Sequence, residues 1–306
     1  MTGYVALRES AAWLDLSARG KIRLTGEDRA RLLHAMTTNQ IQALQPGEGC
    51  YTFFLNAQGR ILADANVLCE DSALLLDTEP ELREKIFQHL DQFIIADDVT
   101  LEDLSDTLAT IAIEGPQAEG VLKALDAPIP VIEQSWAAWG DRMVVRTATT
   151  GDAGWLVILP VIDKQAFLES LRTLPEADAD AARAVRIENG KPRYGEEITD
   201  RFLLQETGLM RAVNFSKGCY LGQEIVERVR SRGQVHRHLR TVQIEGTEVP
   251  ASGTKLTKDG KELAEIVSAA HSPALEKIVA MAYVRTDAAV SGFALEFGGS
   301  KAIIGS

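Results

Sequence analysis

The segment Lys217-Gly-Cys-Tyr-Leu-Gly-Gln-Glu224 places two glycines, a lysine and a cysteine directly before a stretch with helical spacing. Gly218 and Gly222 permit backbone conformations that other residues avoid, so the chain can approach a neighbouring segment or a ligand closely. Cys219 precedes the predicted helix and lies two residues from Lys217, and both features favour a thiolate. We predict that Cys219 and Lys217 are catalytic residues; the alternative is that Cys219 is a small buried hydrophobic residue.

The chain that continues from this segment is locally basic. Between Lys217 and Arg240 there are six lysines and arginines against two acids, a net charge of +4, whereas the whole chain carries -12. Arginine binds carboxylates and phosphates well because its guanidinium can contact both oxygens of the anion. The basic stretch therefore predicts anion binding, and the alternative is an ordinary solvated helix face.

Composition limits the class of protein. The 306 residues leave room for two or three domains, and 45% hydrophobic with 25% charged residues is typical of a globular chain. The net charge of -12 disfavours broad binding to nucleic acids or anionic membranes. No segment approaches the roughly 20 apolar residues of a membrane span, and charged residues interrupt the stretch from Met1 to Gly20. We therefore expect a cytoplasmic protein that does not bind membranes.

The chain contains three cysteines, Cys50, Cys69 and Cys219, with no repeated spacing. An odd number argues against a disulfide scaffold and fits a reducing compartment. There is no C-x-x-C pair, and no histidine lies at zinc-ligand spacing from a cysteine. Four thiolate ligands for an iron–sulfur cluster are excluded by the count. No metal site is predicted.

Local patterns in the first hundred residues predict two elements. The apolar runs 50–55 and 60–68 flank the Gly-containing turn 56–59, which is typical of a β-hairpin. Thr25 and Asp28 have the spacing of a capping box and predict that a helix begins there.

The pattern of the whole chain predicts an α+β fold with a β-rich end. Strand-like and helical stretches alternate up to about residue 240. Beyond it the runs are short and β-rich, which predicts a small barrel or sandwich. The predicted domains are therefore a body, 1–240, and a C-terminal β-rich domain, 241–306.

The segment 217–224 resembles the signature K-G-C-[FY]-x-G-Q-E of the YgfZ family, folate-dependent proteins that support iron–sulfur enzymes. Weaker landmarks in the same order resemble the wider aminomethyltransferase superfamily, and together they cover most of residues 20–240. These landmarks are Leu24-Thr-Gly-Glu-Asp28, Leu55-Asn56 through Asp64, Ile113-Glu-Gly-Pro116, Thr150-Gly-Asp-Ala-Gly154 and Arg186-Ile-Glu-Asn-Gly-Lys-Pro-Arg-Tyr-Gly195.

The resemblance implies three domains around a central channel that binds tetrahydrofolate. The body would then consist of two intertwined α+β subdomains, and the last domain would be barrel-like. The pterin would lie inside the channel and the glutamate tail would point outward, where the basic stretch suits a polycarboxylate. The folate-binding residues that the resemblance implies are Asn56, Asp64, Arg186, Glu188, Gln223, Glu224 and Arg228.

Two positions depart from the aminomethyltransferase pattern. The aminomethyltransferase pattern has two adjacent aspartates, one of them catalytic. The similar position in this chain is Ala63-Asp64. The pattern also has an aromatic residue followed by a pterin-binding glutamate where this chain has Trp155-Leu156. The resemblance therefore implies folate binding without aminomethyl transfer, because an acid that would handle the proton is missing.

Three functions are consistent with these patterns. The first is a tetrahydrofolate-binding accessory protein that supports assembly or repair of iron–sulfur clusters in client enzymes, including tRNA-modifying ones. The second is a folate-dependent aminomethyl or one-carbon transferase. The third, an RNA-binding module, is disfavoured by the overall acidity and by the lack of aromatic residues among the arginines of 228–240. The expected partners are folate and the client enzymes.

Overall fold

The computed structural model describes residues 2–151, 153–233 and 235–305. These residues form two five-stranded antiparallel sheets and a closed six-stranded barrel, with helices packed against them. The architecture confirms the α+β prediction and the barrel-like C-terminal domain. No helix in the described ranges is both long and apolar enough to cross a membrane.

The bounds of the elements are as follows. The helices are α1 (Thr2–Glu9), α2 (Arg29–Met36), α3 (Arg83–Asp91), α4 (Ala118–Ala124), α5 (Lys164–Ser170), α6 (Ala179–Glu188), α7 (Leu204–Thr207) and α8 (Gln223–Arg232). The strands are β1 (Ala12–Asp15), β2 (Gly20–Thr25), β3 (Gly49–Leu55), β4 (Ile61–Cys69), β5 (Leu74–Thr78), β6 (Thr100–Asp103), β7 (Leu108–Glu114), β8 (Trp136–Trp139), β9 (Arg142–Val145), β10 (Gly154–Pro160), β11 (Arg237–Ile244), β12 (Lys255–Lys258), β13 (Lys261–Ser272), β14 (Lys277–Arg285), β15 (Ala294–Phe297) and β16 (Ser300–Ile304).

The first sheet has the order β3-β4-β5-β2-β6 and contains the predicted hairpin, which is confirmed. Its turn is held by Asn56, whose side-chain Oδ1 accepts the backbone N–H groups of Gln58 and Arg60 at 3.0 and 2.9 Å. Gly59 completes the turn with a φ of +70°, a conformation that glycine adopts without steric cost.

The second sheet has the order β1-β7-β10-β9-β8 and combines the first strand of the chain with strands that follow the whole first sheet. Strand β1 belongs to this sheet, although the chain leaves it at once to build the whole first sheet before returning with β7. The N-terminal strand is therefore held by residues that follow about a hundred positions later in the chain.

The barrel has the strand order β11-β14-β13-β12-β15-β16 and buries its own apolar core. Helix α6 connects it to the body, since it packs against β13 and β14. Strand β11 begins at Arg237, so the predicted boundary at residue 240 falls inside a strand and not between two domains.

The predicted capping box at Thr25 and Asp28 is wrong. Helix α2 begins at Arg29, and Asp28 makes no side-chain cap. Thr25 pairs with Thr100 at the end of β2, which removes it from the helix. The Asp28 carboxylate instead accepts the backbone N–H of Asp98 at 3.0 Å, a long-range contact that local spacing cannot predict.

Gly222 lets the segment 217–222 lie against the hairpin. Its φ is +86°, and a Cβ atom there would come within 2.7 Å of the Asn56 carbonyl oxygen and 2.9 Å of the Leu55 Cβ. The backbone N–H of Leu221 also donates to the Ala35 oxygen at 3.1 Å. The glycine expected to permit a close approach therefore does so, and the neighbour it approaches is protein.

We expect Gly222→Ala to lower the free energy of unfolding by roughly 2 to 4 kcal/mol. The alanine would adopt a left-handed backbone conformation that is strained for it, and its Cβ would clash with the Asn56 carbonyl oxygen. Gly233→Ala is the matched control. Its φ is +63° with no atom within 4 Å of the added Cβ, so strain alone should cost about 1 kcal/mol. Urea denaturation of both variants measures the difference, and equal losses would contradict the predicted clash.

Candidate functional site

A cavity of about 460 Å³ lies between the two sheets and the segment 179–196, and we call it the central cavity. The first sheet contributes residues of β4 and β5, and the second contributes 147–149 and Leu156. No described residue of the barrel is among those that line it. The central cavity is therefore a property of the intertwined body.

Asp64 is the acid that β4 points into the central cavity. It is 6% exposed, and the Tyr51 hydroxyl donates to its Oδ2 at 2.6 Å. Among the described residues its Oδ1 has no hydrogen-bond donor. Burial raises the pKa of Asp64 to about 7, the nearby Glu79 charge adds to the rise, and the Tyr51 hydrogen bond opposes it. The group can therefore gain or lose a proton near neutral pH.

Ala63 faces the opposite side of the same strand. It pairs with Phe54, whose ring contacts His89 of α3, and it belongs to the hydrophobic core. Asp64 is among the residues that line the central cavity, whereas Ala63 is not. The structure therefore keeps one carboxyl of this pair on the cavity wall, and the loss of aminomethyl transfer stays a prediction.

Most of the cavity arginines are already paired with carboxylates. Arg19 makes two hydrogen bonds to Asp77, at 2.8 and 2.9 Å. Arg186 donates to Glu197 at 2.7 and 3.1 Å. Such buried pairs satisfy both charges and leave little capacity for a further anion.

Arg211 differs from these arginines. Its guanidinium lies 5.2 Å from the centre of the Tyr51 ring, and it lines the central cavity. It is exposed, and no carboxylate of the described residues forms an ion pair with it. It is therefore the cavity arginine best placed to bind an incoming anion.

The structure divides the predicted folate-binding residues into two groups. Asp64 and Arg186 line the central cavity. The others do not line it, and these are Asn56, Glu188, Gln223, Glu224 and Arg228. Their folate contacts stay predictions that this geometry does not support.

Four of those five have visible structural partners. Asn56 holds the hairpin turn. Glu188 lies two residues after Arg186 in α6, on another face of the helix, where it binds Tyr4 and Arg8. Arg228 forms an exposed ion pair with Glu224 one helical turn earlier. No described basic residue of the stretch 217–240 lines the central cavity, and the Arg228–Glu224 pair of α8 faces solvent.

Lys217 and Cys219 do not form a catalytic pair in this structure. Lys217 is buried and its Nζ donates to the backbone oxygens of His34, Thr37 and Asn39 at 2.6, 2.6 and 2.7 Å. Burial lowers the pKa of this ammonium to about 7, although three acceptors for its three hydrogens favour the charged form. These contacts attach Lys217 to the end of α2 and the residues that follow it. Its catalytic role stays a prediction that no contact supports.

Cys219 is an exposed free thiol, which excludes the alternative that it is a buried hydrophobic residue. It lies in the loop before α8 and does not line the central cavity. Its reactivity stays a prediction.

Comparison with known proteins agrees with the arrangement of these domains. Residues 3–217 match the family described as the GCVT N-terminal domain, and residues 237–302 match the glycine cleavage T-protein C-terminal barrel domain. The chain belongs to the glycine cleavage T-protein family. The resemblance to the aminomethyltransferase superfamily is thereby confirmed, whereas the narrower YgfZ-type assignment stays a proposal.

Individual relatives share this organisation. Aminomethyltransferases from Nostoc sp. and Streptomyces coelicolor are each 29% identical, over 95% and 92% of this chain and 81% and 80% of their own lengths. The crystal structure of the glycine cleavage system aminomethyltransferase T from Bartonella henselae superposes with a TM-score of 0.90 at 20% identity. It covers 99% of this chain and 87% of that one, which shows the T-protein fold.

Sequence reasoning singled out neither Tyr51 nor Arg211 of the central cavity. Tyr51 orients the carboxylate of Asp64, and Arg211 lies over the Tyr51 ring. The hairpin pattern carried a usable signal for Tyr51, because Tyr51 pairs with Asn66 and so shares a face with Asp64. No sequence motif connects Arg211 with either residue.

We expect the stability of the protein to depend on pH through Asp64. The pKa of this carboxyl is about 7 in the folded protein and 3.8 for an ordinary aspartate, so between these pH values the folded state binds more protons than the unfolded state. The free energy of unfolding therefore falls as pH rises from about 4 to about 7. Asp64→Asn removes this loss. Between pH 5 and pH 8 the variant should gain on the order of 3 kcal/mol relative to wild type, measured by urea denaturation. Exposed Asp141→Asn is the control, and a pH-independent difference for Asp64→Asn would contradict the raised pKa.

Proposed function

We propose that the protein binds a reduced folate in the central cavity and acts on the one-carbon unit that the folate carries. The observation that carries this proposal is Asp64, a buried carboxyl with a pKa of about 7 and one unpartnered oxygen on the cavity wall. Membership of the T-protein family and the similarity to proteins named aminomethyltransferase support it.

The residues present fit tetrahydrofolate. The cavity volume is about 460 Å³, within the range of small-molecule sites. Leu156 and Ala148 give apolar surface for a planar ring, and Asp64 gives a polar group opposite them. When bound, tetrahydrofolate would supply the nitrogen atoms that carry a one-carbon unit.

Asp64 is suited to general acid–base work in this site. Its pKa near the operating pH lets it both accept and return a proton. The Tyr51 hydroxyl holds Oδ2, so Oδ1 is the oxygen that faces the reacting atoms. Burial raises the pKa of Asp64, and the negative charge of Glu79 adds to the rise because it disfavours a second carboxylate nearby.

Arg211 is suited to the carboxylates of the glutamate tail. It is exposed, lines the central cavity and has no carboxylate partner among the described residues. This assignment replaces Arg228, whose guanidinium is paired with Glu224 on the outer face of α8.

Calorimetry with tetrahydrofolate tests binding, and an assay of tetrahydrofolate-dependent methylene transfer tests turnover. We expect Asp64→Asn to bind tetrahydrofolate within about tenfold of wild type, since only one contact changes, and to lose about 10² to 10⁴ in turnover, the usual contribution of a general acid–base group. Asp141→Asn should match wild type in both. Absence of tetrahydrofolate binding by the wild-type protein would exclude the proposed function.

A second candidate function rests on a different observation, the exposure of Cys219 within the YgfZ-like segment. In this function the folate-bound protein supports assembly or repair of iron–sulfur clusters in client enzymes, among them tRNA-modifying enzymes. Cys219 would then contact the client at the surface, since it lies outside the central cavity.

Complementation of a strain that lacks the gene separates the two candidates. If the accessory function is correct, Cys219→Ser should fail to restore the activity of an iron–sulfur client enzyme. Cys50→Ser should restore it, because Cys50 is half-buried and burial raises its pKa to about 12. Full restoration by Cys219→Ser, together with methylene transfer by the purified protein, would leave only the transferase function.

A further inference from the structure

The two walls of the central cavity each carry a polar side chain that is incompletely hydrogen-bonded. Asp64 lies on the first sheet. Gln134, which precedes β8 in the second sheet, also lines the cavity and is only 6% exposed. No sequence pattern singled out Gln134, and the proposed acid–base chemistry does not use it.

The contacts of Gln134 leave one atom without a partner. Its backbone N–H donates to the Arg146 oxygen at 2.8 Å, and its side-chain Nε2 donates to the Thr147 hydroxyl at 3.2 Å. Its Oε1 is buried and has no hydrogen-bond partner among the described residues. Buried amide oxygens nearly always have one, because removal from water without replacement is unfavourable.

The backbone at Gln134 is held in an unusual conformation. Its φ is +67°, in the left-handed region that residues other than glycine seldom occupy. Gly49 passes so close that a Cβ there would lie 2.5 Å from the Gln134 carbonyl oxygen. Strained residues of this kind persist where the surrounding structure fixes them, and they cluster at ligand sites.

The neighbourhood of Gln134 indicates what the missing partner is. Leu156 and Ala148 line the same wall and present apolar surface. A hydrogen-bond acceptor beside an apolar wall suits a planar heteroaromatic ring with an N–H group at its edge.

We infer that Gln134 Oε1 accepts a hydrogen bond from the exocyclic amino group of the folate pyrimidine ring and thereby selects amino-substituted rings. This inference rests on the proposed folate binding. It places the ring edge at the second sheet, and it leaves Asp64, on the first sheet, free to act on the one-carbon unit.

The test compares tetrahydrofolate with an analogue in which a methyl group replaces the ring amino group, by calorimetry. Wild type should prefer tetrahydrofolate by about tenfold, the value of one hydrogen bond to an otherwise unpaired buried acceptor. Gln134→Leu should bind both ligands equally. Gln134→Glu, which keeps an acceptor, should retain the preference.

Gln40→Leu is the matched control, because Gln40 also has a buried Oε1 without a partner but does not line the cavity. It should keep the wild-type preference. If Gln134→Leu does not fold, Gln134→Met replaces it with a side chain of similar length and no oxygen.

The outcomes distinguish a failure of this inference from a failure of the proposed function. Binding of tetrahydrofolate by wild type with an unchanged preference in Gln134→Leu would overturn the role of Gln134 alone. Loss of the preference in Gln134→Glu or in Gln40→Leu would also overturn it. Failure of wild type to bind either ligand would overturn the proposed function and this inference together.

Discussion

Strand β4 separates the hydrophobic core of the first sheet from the central cavity, and the rest of the site depends on that constraint. Ala63 belongs to the hydrophobic core while Asp64 lines the cavity, because successive side chains of a strand point to opposite sides. A register shift by one residue would bury the carboxyl in the core and place an alanine on the cavity wall. The paired hairpin strands prevent such a shift.

The cavity carries polar groups at a cost to stability. The paired arginines and acids, such as Arg19 with Asp77, satisfy each other's charges. They form the wall of the cavity and leave little capacity to bind a charged ligand. Asp64 and Gln134 remain incompletely satisfied. Buried groups of that kind persist where a ligand completes their hydrogen bonds, which is why the two walls of this cavity are the best candidates for ligand contact.

The segment 217–224 has a structural role in addition to any chemical one. Lys217 ties it to the end of α2 through three backbone oxygens, and Gly222 fits it against the hairpin. Cys219 is exposed, so its thiol is accessible for a reaction or a partner. A strongly patterned motif can therefore mark a structural junction and a functional residue at the same time, and the side-chain contacts distinguish the two.

The sequence by itself determined the β-hairpin, the β-rich C-terminal domain and the T-protein family resemblance, because these depend on local periodicity and on a long contiguous motif. Tertiary structure alone decided which residues share the central cavity. The hairpin brings Tyr51 to Asp64, but Gln134 and Arg211 join them at the cavity only because segments far apart in the sequence pack together. Spacing along the chain does not reveal such long-range contacts, so Arg228 and Glu188 were candidates while Arg211 was not, although the helices direct Arg228 and Glu188 away from the cavity.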